Sequence, residues 1–549
     1  MNHWLILPIL IPAVVAPLLA LAVRHDMVLA RVFSIGSSLL LVLLGFFLLG
    51  MAADGSIRIY ALGSWPPPFG ITLVLDRLSA VMLCLTSVLG FCVLLYAING
   101  CDVAGRHFHP LFQFQMMGVN GAFLTGDLFN LFVFFEVLLI ASYGLMVHGG
   151  GAARVRSGIQ YVIVNLVGST LFLFALALLY GTTGTLNMAH LAMKVPQVPP
   201  GDQALLVCGA ALLLVVFGIK SAAVPLHFWL PGTYANTSGP VAALFSIMTK
   251  VGVYAILRVY LLGFGENAGP TAWFLGGWLT PVALVTLVVG MCGVLAARRL
   301  RWQASFAALG SMGTLLVAVA GFTPSSESAA LYYLVHSTLA VAALFLLVDA
   351  IAVRRGEAGD SLVATPRFRN DGLIGALFLV TVVAVIGMPP LSGFLGKLLI
   401  LDASAGQSGW QWVWAGVLGT SLLGLVGFAS AGSVLFWKSH AVEPRPATGQ
   451  TPPTALPMVA TGVLLGILLA MTIATGPVTR FFEQTAEQLF RPESYIRAVI
   501  GDVDPVTELL QGMDVSAGQA VPSGQAVPSG QEVPAGQAVP AGQGSAPDR

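Results

Sequence analysis

Apolar runs, each long enough to cross a hydrocarbon core of about 30 Å, follow one another from residue 4 to residue 476 with only brief polar interruptions. They predict fourteen helical spans, at 4–22, 29–51, 73–97, 110–127, 129–148, 159–183, 203–233, 239–262, 272–296, 303–321, 328–351, 372–401, 411–437 and 455–476. The N-terminus lacks a basic segment and a small-residue cleavage site, so 4–22 reads as a retained first helix. The expected fold class is an all-α polytopic membrane protein.

The basic residues orient these spans. With the N-terminus outside, fourteen Arg and Lys fall on the inner side, against Arg58, Arg77, Lys194 and Arg258 on the outer side. That asymmetry follows the positive-inside rule and predicts both termini on the outer face. Beyond the last span, 478–512 is modestly amphipathic, with Arg480, Glu483, Glu487, Arg491 and Arg497, and reads as lying along the membrane surface. Residues 516–543 repeat a hexapeptide of the form GQxVPx, with prolines at 522, 528, 534 and 540. Such a tract cannot bury a core, and 513–549 is expected to be a disordered tail.

Composition agrees with the pattern. Hydrophobic residues make up 57% of the chain and charged residues 9%, where a soluble protein carries about a quarter. The net charge of +1 argues against nucleic-acid binding. Cys84, Cys92, Cys101, Cys208 and Cys292 show no metal-ligand spacing, so no metal site is expected of them.

Two spans contain helix breakers at membrane depth. The seventh reads FGIKSAAVPLHFWLPGTYANTSGP, with Pro225 and Pro231 after Lys220. The twelfth reads VIGMPPLSGFLGKLLI, with Pro389 and Pro390 before Lys397. Irregular backbone inside a bilayer survives only where protein or a water-filled cavity satisfies it, and paired broken spans in two halves of a transporter point to its pathway.

Charges within the spans sharpen this reading. A charge at the bilayer centre costs about 2.5–3.5 kcal/mol on insertion scales and marks an ion path or proton relay by default. Lys250 sits about ten residues into its span, roughly 15 Å deep at 1.5 Å per residue, too deep to snorkel. Glu136, in FNLFVFFEVLLIASYG, is the one acid at mid-span, and its depth calls for a protonated or lysine-paired state. His336 lies near mid-depth, as a proton relay or a packing histidine. His227 falls inside the first break. Asp127, in TGDLFN, either caps the next helix or gates access. Removing water from an ammonium weakens its hold on the proton, and a carboxylate drawn close strengthens it again. The distance from Glu136 to Lys220 could therefore decide whether Lys220 keeps its proton.

At these residues the chain resembles a known family. The segments LTGDLFNLFVFFEVLLIASYGL, GIKSAAVPLHFWLPGTYANTSGPVAALFSIMTKVGVYAILR and GMPPLSGFLGK are similar to the antiporter-type proton-translocating subunits of respiratory complex I and of the multisubunit Mrp (Pha, Mnh) cation/proton antiporters. The GDLFNLFVFFE form is most similar to the D subunit of the latter. The resemblance covers roughly residues 1–480 and implies two inverted five-helix repeats, each with one broken helix. The expected organisation is helices 1–3 over 1–109, a first repeat over 110–262, a second over 272–437, a last helix and amphipathic stretch over 455–512, and the tail over 513–549. It implies that Glu136 pairs with Lys220, that Lys250 is the central relay, that His336 continues it, and that Lys397 ends it. It further implies assembly with other antiporter subunits in a bacterial inner membrane, with no cofactor on this chain. The expected function is proton translocation within a monovalent cation (Na⁺ or K⁺)/H⁺ antiporter, so the chain is a secondary-active transporter subunit and not an enzyme. The alternative is a proton-pumping membrane subunit of a redox-driven complex, such as a complex I-like NADH:quinone oxidoreductase or a membrane-bound hydrogenase.

Overall fold

Several helices begin where a short polar side chain takes up a backbone donor that the first turn leaves unpaired. Asp26, Asp76, Asp127 and Thr323 accept from the N–H groups of Leu29, Ser79, Asn130 and Ser326, at 3.0, 2.9, 2.8 and 3.2 Å. Each thereby satisfies an orphan group that lipid could not. The computed structural model describes residues 3–274, 276–442 and 455–501. The expected tail over 513–549, and the end of the amphipathic stretch, lie outside the described residues.

The first helices are α1 (Leu7–Leu21), α2 (Met27–Ala52) and α3 (Arg77–Ala97). Between α2 and α3 the chain forms a small antiparallel hairpin, β1 (Arg58–Ala61) against β2 (Thr72–Leu75), with Arg58 opposite Leu75. Then come α4 (Phe108–Leu124), α5 (Leu128–Val147), α6 (Ala152–Thr183) and a short α7 (Met188–Lys194). The seventh expected span is two helices, α8 (Gln203–Lys220) and α9 (Trp229–Asn236). The eighth is also divided, into α10 (Gly239–Phe245) and α11 (Met248–Gly263), where the sequence pattern predicts one helix. After them run α12 (Gly276–Ala296), α13 (Leu300–Val319) and α14 (Pro324–Arg354). The twelfth span is α15 (Asp371–Ile386) and α16 (Ser392–Ser404), followed by α17 (Trp410–Gly432), α18 (Leu456–Ile473), α19 (Thr475–Leu489) and α20 (Pro492–Ile500).

Every expected span thus falls on a helix or a broken pair. Among the described residues, eleven helical segments are long and apolar enough to cross a membrane, and α1 and α15 are apolar but shorter. Leu43, Phe174, Leu379 and Leu422 face outward, which in water would favour aggregation and in a bilayer is the ordinary boundary. The interior is built on Gly239–Gly263, buried along nearly its whole length, and on α13 and α14, which are mostly buried. Lys250 and His336 stand on these central helices.

One expectation changes. Pro231 does not break a helix: it lies in the first turn of α9, where its missing N–H has no intrahelical acceptor to lose. The amphipathic stretch turns its apolar face to protein. Phe482 of α19 packs edge-on against Tyr332 of α14, and Leu489 is buried.

Candidate functional site

The first break runs from Ser221 to Pro225, which has no N–H to donate. Its orphan groups find side-chain partners, as buried backbone must. The Trp229 indole donates to the Ile219 carbonyl at 3.0 Å, and the Val224 N–H donates to the Thr286 hydroxyl at 2.9 Å. Helix α11 touches this break through Gly252. A Cβ there would come within 2.5 Å of Ser221 Oγ and 3.0 Å of Lys220 Cβ, so only glycine permits the approach. Lys250 stands two residues earlier on the same helix.

Lys220 is the last residue of α8 and is buried. Its Nζ donates to Asn165 Oδ1 at 3.1 Å and lies 5.8 Å from the centroid of the Phe135 ring. The Asn165 amide is oriented for this, because its Nδ2 donates to the Tyr161 carbonyl at 2.9 Å. Glu136 follows Phe135 on α5, half-buried, and accepts from the Ser169 hydroxyl. Asn165 and Ser169 stand four residues apart, on successive turns of one face of α6. The expected direct ion pair between Glu136 and Lys220 is not formed; each is held instead by a different polar residue on the same face of α6.

Lys250 follows the junction between α10 and α11. Among the described residues no hydrogen bond or ion pair engages its side chain, although it is almost fully buried. The junction is tied to α14 by Ser246, whose hydroxyl donates to the Thr338 carbonyl at 3.1 Å, two residues beyond His336.

His336 spans the second break. Its Nε2 lies 3.1 Å from the Ala384 carbonyl of α15, and its Nδ1 lies 2.9 Å from the Ser392 hydroxyl of α16. A carbonyl only accepts, so Nε2 carries the hydrogen, and in the neutral ring Nδ1 accepts from Ser392. Gly393 permits this, since a Cβ there would meet Ala384 O at 2.1 Å and His336 Nε2 at 2.8 Å. Helix α15 ends at Ile386 with Gly387 in the left-handed region, at φ 79°. Lys397 donates to the freed Ile386 carbonyl at 2.6 Å and to the Ser421 hydroxyl of α17 at 2.7 Å. An ammonium therefore closes the orphaned helix end, as an orphan carbonyl requires.

Of the remaining expected residues, Asp127 caps α5 as one reading had it. His227 sits half-buried in the turn Leu226–Phe228, with Pro225, and Pro389 and Pro390 form the second break. Several polar residues escaped the sequence reading. Asn165, Ser169 and Ser421 are uncharged and lie in apolar spans; the four-residue spacing of the first two was the available signal. Arg258, expected among the outer-face charges, is buried and pairs bidentately with Asp76 at 2.6 and 2.8 Å. Glu327 is fully buried near the start of α14, with neither carboxyl oxygen hydrogen-bonded.

Residues 125–424, which hold both breaks and every one of these lysines, match the family model described as NADH:quinone oxidoreductase/Mrp antiporter, TM. The chain belongs to this family. It is 38% identical over 534 residues to a probable K⁺/H⁺ antiporter D subunit of Rhizobium meliloti, covering 91% of this chain and 98% of the relative. It is 35% identical to the Na⁺/H⁺ antiporter D subunit of Bacillus subtilis, covering 91% and 100%. Among solved structures, a chain of the Mrp complex from Dietzia sp. superposes with a TM-score of 0.81 at 28% identity, covering 91% of this chain and all of that one. A chain of respiratory complex I from Thermus thermophilus reaches 0.73 at 24% identity, over 89% and 99%, a likeness of fold.

Proposed function

We propose that this chain is the D subunit of a multisubunit monovalent cation/proton antiporter in a bacterial cell membrane, and that it moves protons along Glu136, Lys220, Lys250, His336 and Lys397. One observation carries the reading: His336 bridges both halves of the second broken helix, and its own helix is bonded two residues on, through Thr338, to Ser246 at the junction that precedes Lys250. A neutral imidazole with Nδ1 turned to a hydroxyl can accept a proton there, with Ser392 rotating to release it. Giving up the Nδ1 proton returns the ring to its starting tautomer, whereas giving up the Nε2 proton leaves the other tautomer, which must convert back before the next cycle. On the first half, Asn165 holds Lys220 while Ser169 holds Glu136. A shift of either side chain changes the charge seen by Lys220 without a long displacement.

Assembly with partners follows from the same geometry. Phe129, Val133 and Ile140 on α5 face outward around Glu136. A carboxyl turned to lipid would carry the cost of about 2.5–3.5 kcal/mol noted for a mid-membrane charge, which a neighbouring subunit covering α5 removes. The curated relatives at 35 and 38% identity are named antiporter subunits, which favours cation exchange over a redox-driven complex. The basic-residue asymmetry supports an outer location for the hairpin, α19 and α20.

The test is cation-dependent proton exchange in membrane vesicles carrying the full set of subunits. Lys250→Ala is expected to abolish exchange while the complex still assembles. Exchange at the unmodified rate in that variant would remove Lys250 from the pathway.

A further inference from the structure

On the flank formed by α2, α3, α14, α18 and α19 the bundle leaves a groove of about 410 Å³, within the size range of small-molecule pockets. Phe46, Val81, Leu85, Leu339, Ile467 and Phe481 line it, and among the described residues its wall presents almost no polar surface. Its depth is set by α3. Val81, Leu85 and Val88 lie four, eight and eleven residues into the helix from Arg77, which is roughly 6, 12 and 16 Å at 1.5 Å per residue. The groove therefore runs from the end of the bundle to about the midplane of a 30 Å core and no further.

The end of the groove is cationic. Arg77 opens α3, where the helix dipole adds positive potential. Its guanidinium lies over the ring of Phe481 at 5.7 Å and donates to the Ala53 carbonyl at 2.9 Å, while its buried Nε has no hydrogen-bond partner among the described residues. Arg480, exposed on α19, adjoins Phe481 in sequence. The nearby Asp54 is engaged by Arg58 at 2.7 Å. Glu483 and Glu487 occupy the exposed side of α19, and among the described residues no ion pair holds Arg77 or Arg480. An apolar slot one leaflet deep with a cationic mouth matches a phospholipid. A partner's transmembrane helix would instead need a groove crossing both leaflets.

We infer that this groove binds an anionic phospholipid, with one acyl chain between α3 and α18 and its phosphate on Arg77 and Arg480. The inference depends on membrane embedding alone and not on the proton pathway.

The experiment uses the purified multisubunit complex in phosphatidylcholine nanodiscs, doped with phosphatidylglycerol or phosphatidylcholine bearing the same photoactivatable acyl chain. The phosphatidylglycerol probe should label peptides containing 81–88 and 467–482 at least fivefold more, roughly fivefold being the factor for each basic residue that meets the headgroup charge. Arg77→Gln with Arg480→Gln should bring that excess to the phosphatidylcholine level, and Ala470→Trp should lower labelling by both probes. Equal labelling of the unmodified complex by the two probes would overturn the inference, and this comparison needs no variant to fold. So would a photoreactive residue at position 85 that captures a peptide from a partner in place of lipid.

Discussion

The Nζ of Lys220 lies 3.1 Å from Oδ1 of Asn165, one helical turn along α6 from the Ser169 hydroxyl that holds Glu136. The acid and the lysine thus share a helix face between them and do not touch. Lys220 is held by an oriented amide and Glu136 by a hydroxyl on that face, so a small rotation of either side chain would let the charges approach or part.

Asn165→Leu removes the acceptor of Lys220 and leaves an unpaired buried ammonium, a loss of about 1–3 kcal/mol or more for a charged group. Exchange in vesicles should fall at least tenfold, since about 1.4 kcal/mol is tenfold in an equilibrium, with assembly retained. An unchanged exchange rate would show that Lys220 and Glu136 communicate by another route.

His336 offers a separation of structure from proton carriage. His336→Gln can still reach the Ala384 carbonyl and Ser392 but does not titrate. The complex should assemble with a melting temperature near that of the unmodified protein while exchange is lost. His336→Phe strands both partners and should lower thermal stability as well, by about 1–3 kcal/mol for each buried group left unsatisfied. If His336→Gln exchanged at full rate, the ring would be a packing element only.

Lys397 closes the carbonyl of Ile386 through its charge, and its role as the last relay site depends on losing that charge. Lys397→Arg keeps a cation that does not deprotonate near neutral pH, so the relay should hold its proton and turnover should stop. Lys397→Glu keeps a titratable group and should retain partial exchange. Vesicle measurements across pH decide between them; an active Arg variant would assign Lys397 a fixed-charge role.

Gly252 and Gly393 let helices approach the two breaks, and a methyl group has no room at either. Gly252→Ala and Gly393→Ala should each destabilise the purified complex by about 1–3 kcal/mol, the usual cost of overpacking. Gly462→Ala on α18 meets nothing within 4 Å and serves as the control. Equal melting temperatures for all three would contradict the close packing at the breaks.

The spans, their breaks and the depth of each charge were legible in the chain by itself, because hydropathy and helix breaking are local properties. Lys220 before Pro225 and Lys397 after Pro390 could be placed at membrane depth from residue order alone. Which side chain meets which was decided by tertiary structure. A helix that is apolar all round, facing lipid on one side and protein on the other, carries no periodicity to reveal its rotation. The sequence could not say that Lys220 faces Asn165 rather than Glu136, or that His336 reaches across a break to Ala384 and Ser392. Asp76 and Arg258 stand 182 residues apart, and only the packing of α3 against the end of α11 brings them together. The interruption between α10 and α11 carries no proline at its junction and so no local signal; the fold marks it through Ser246, bonded to the backbone of α14.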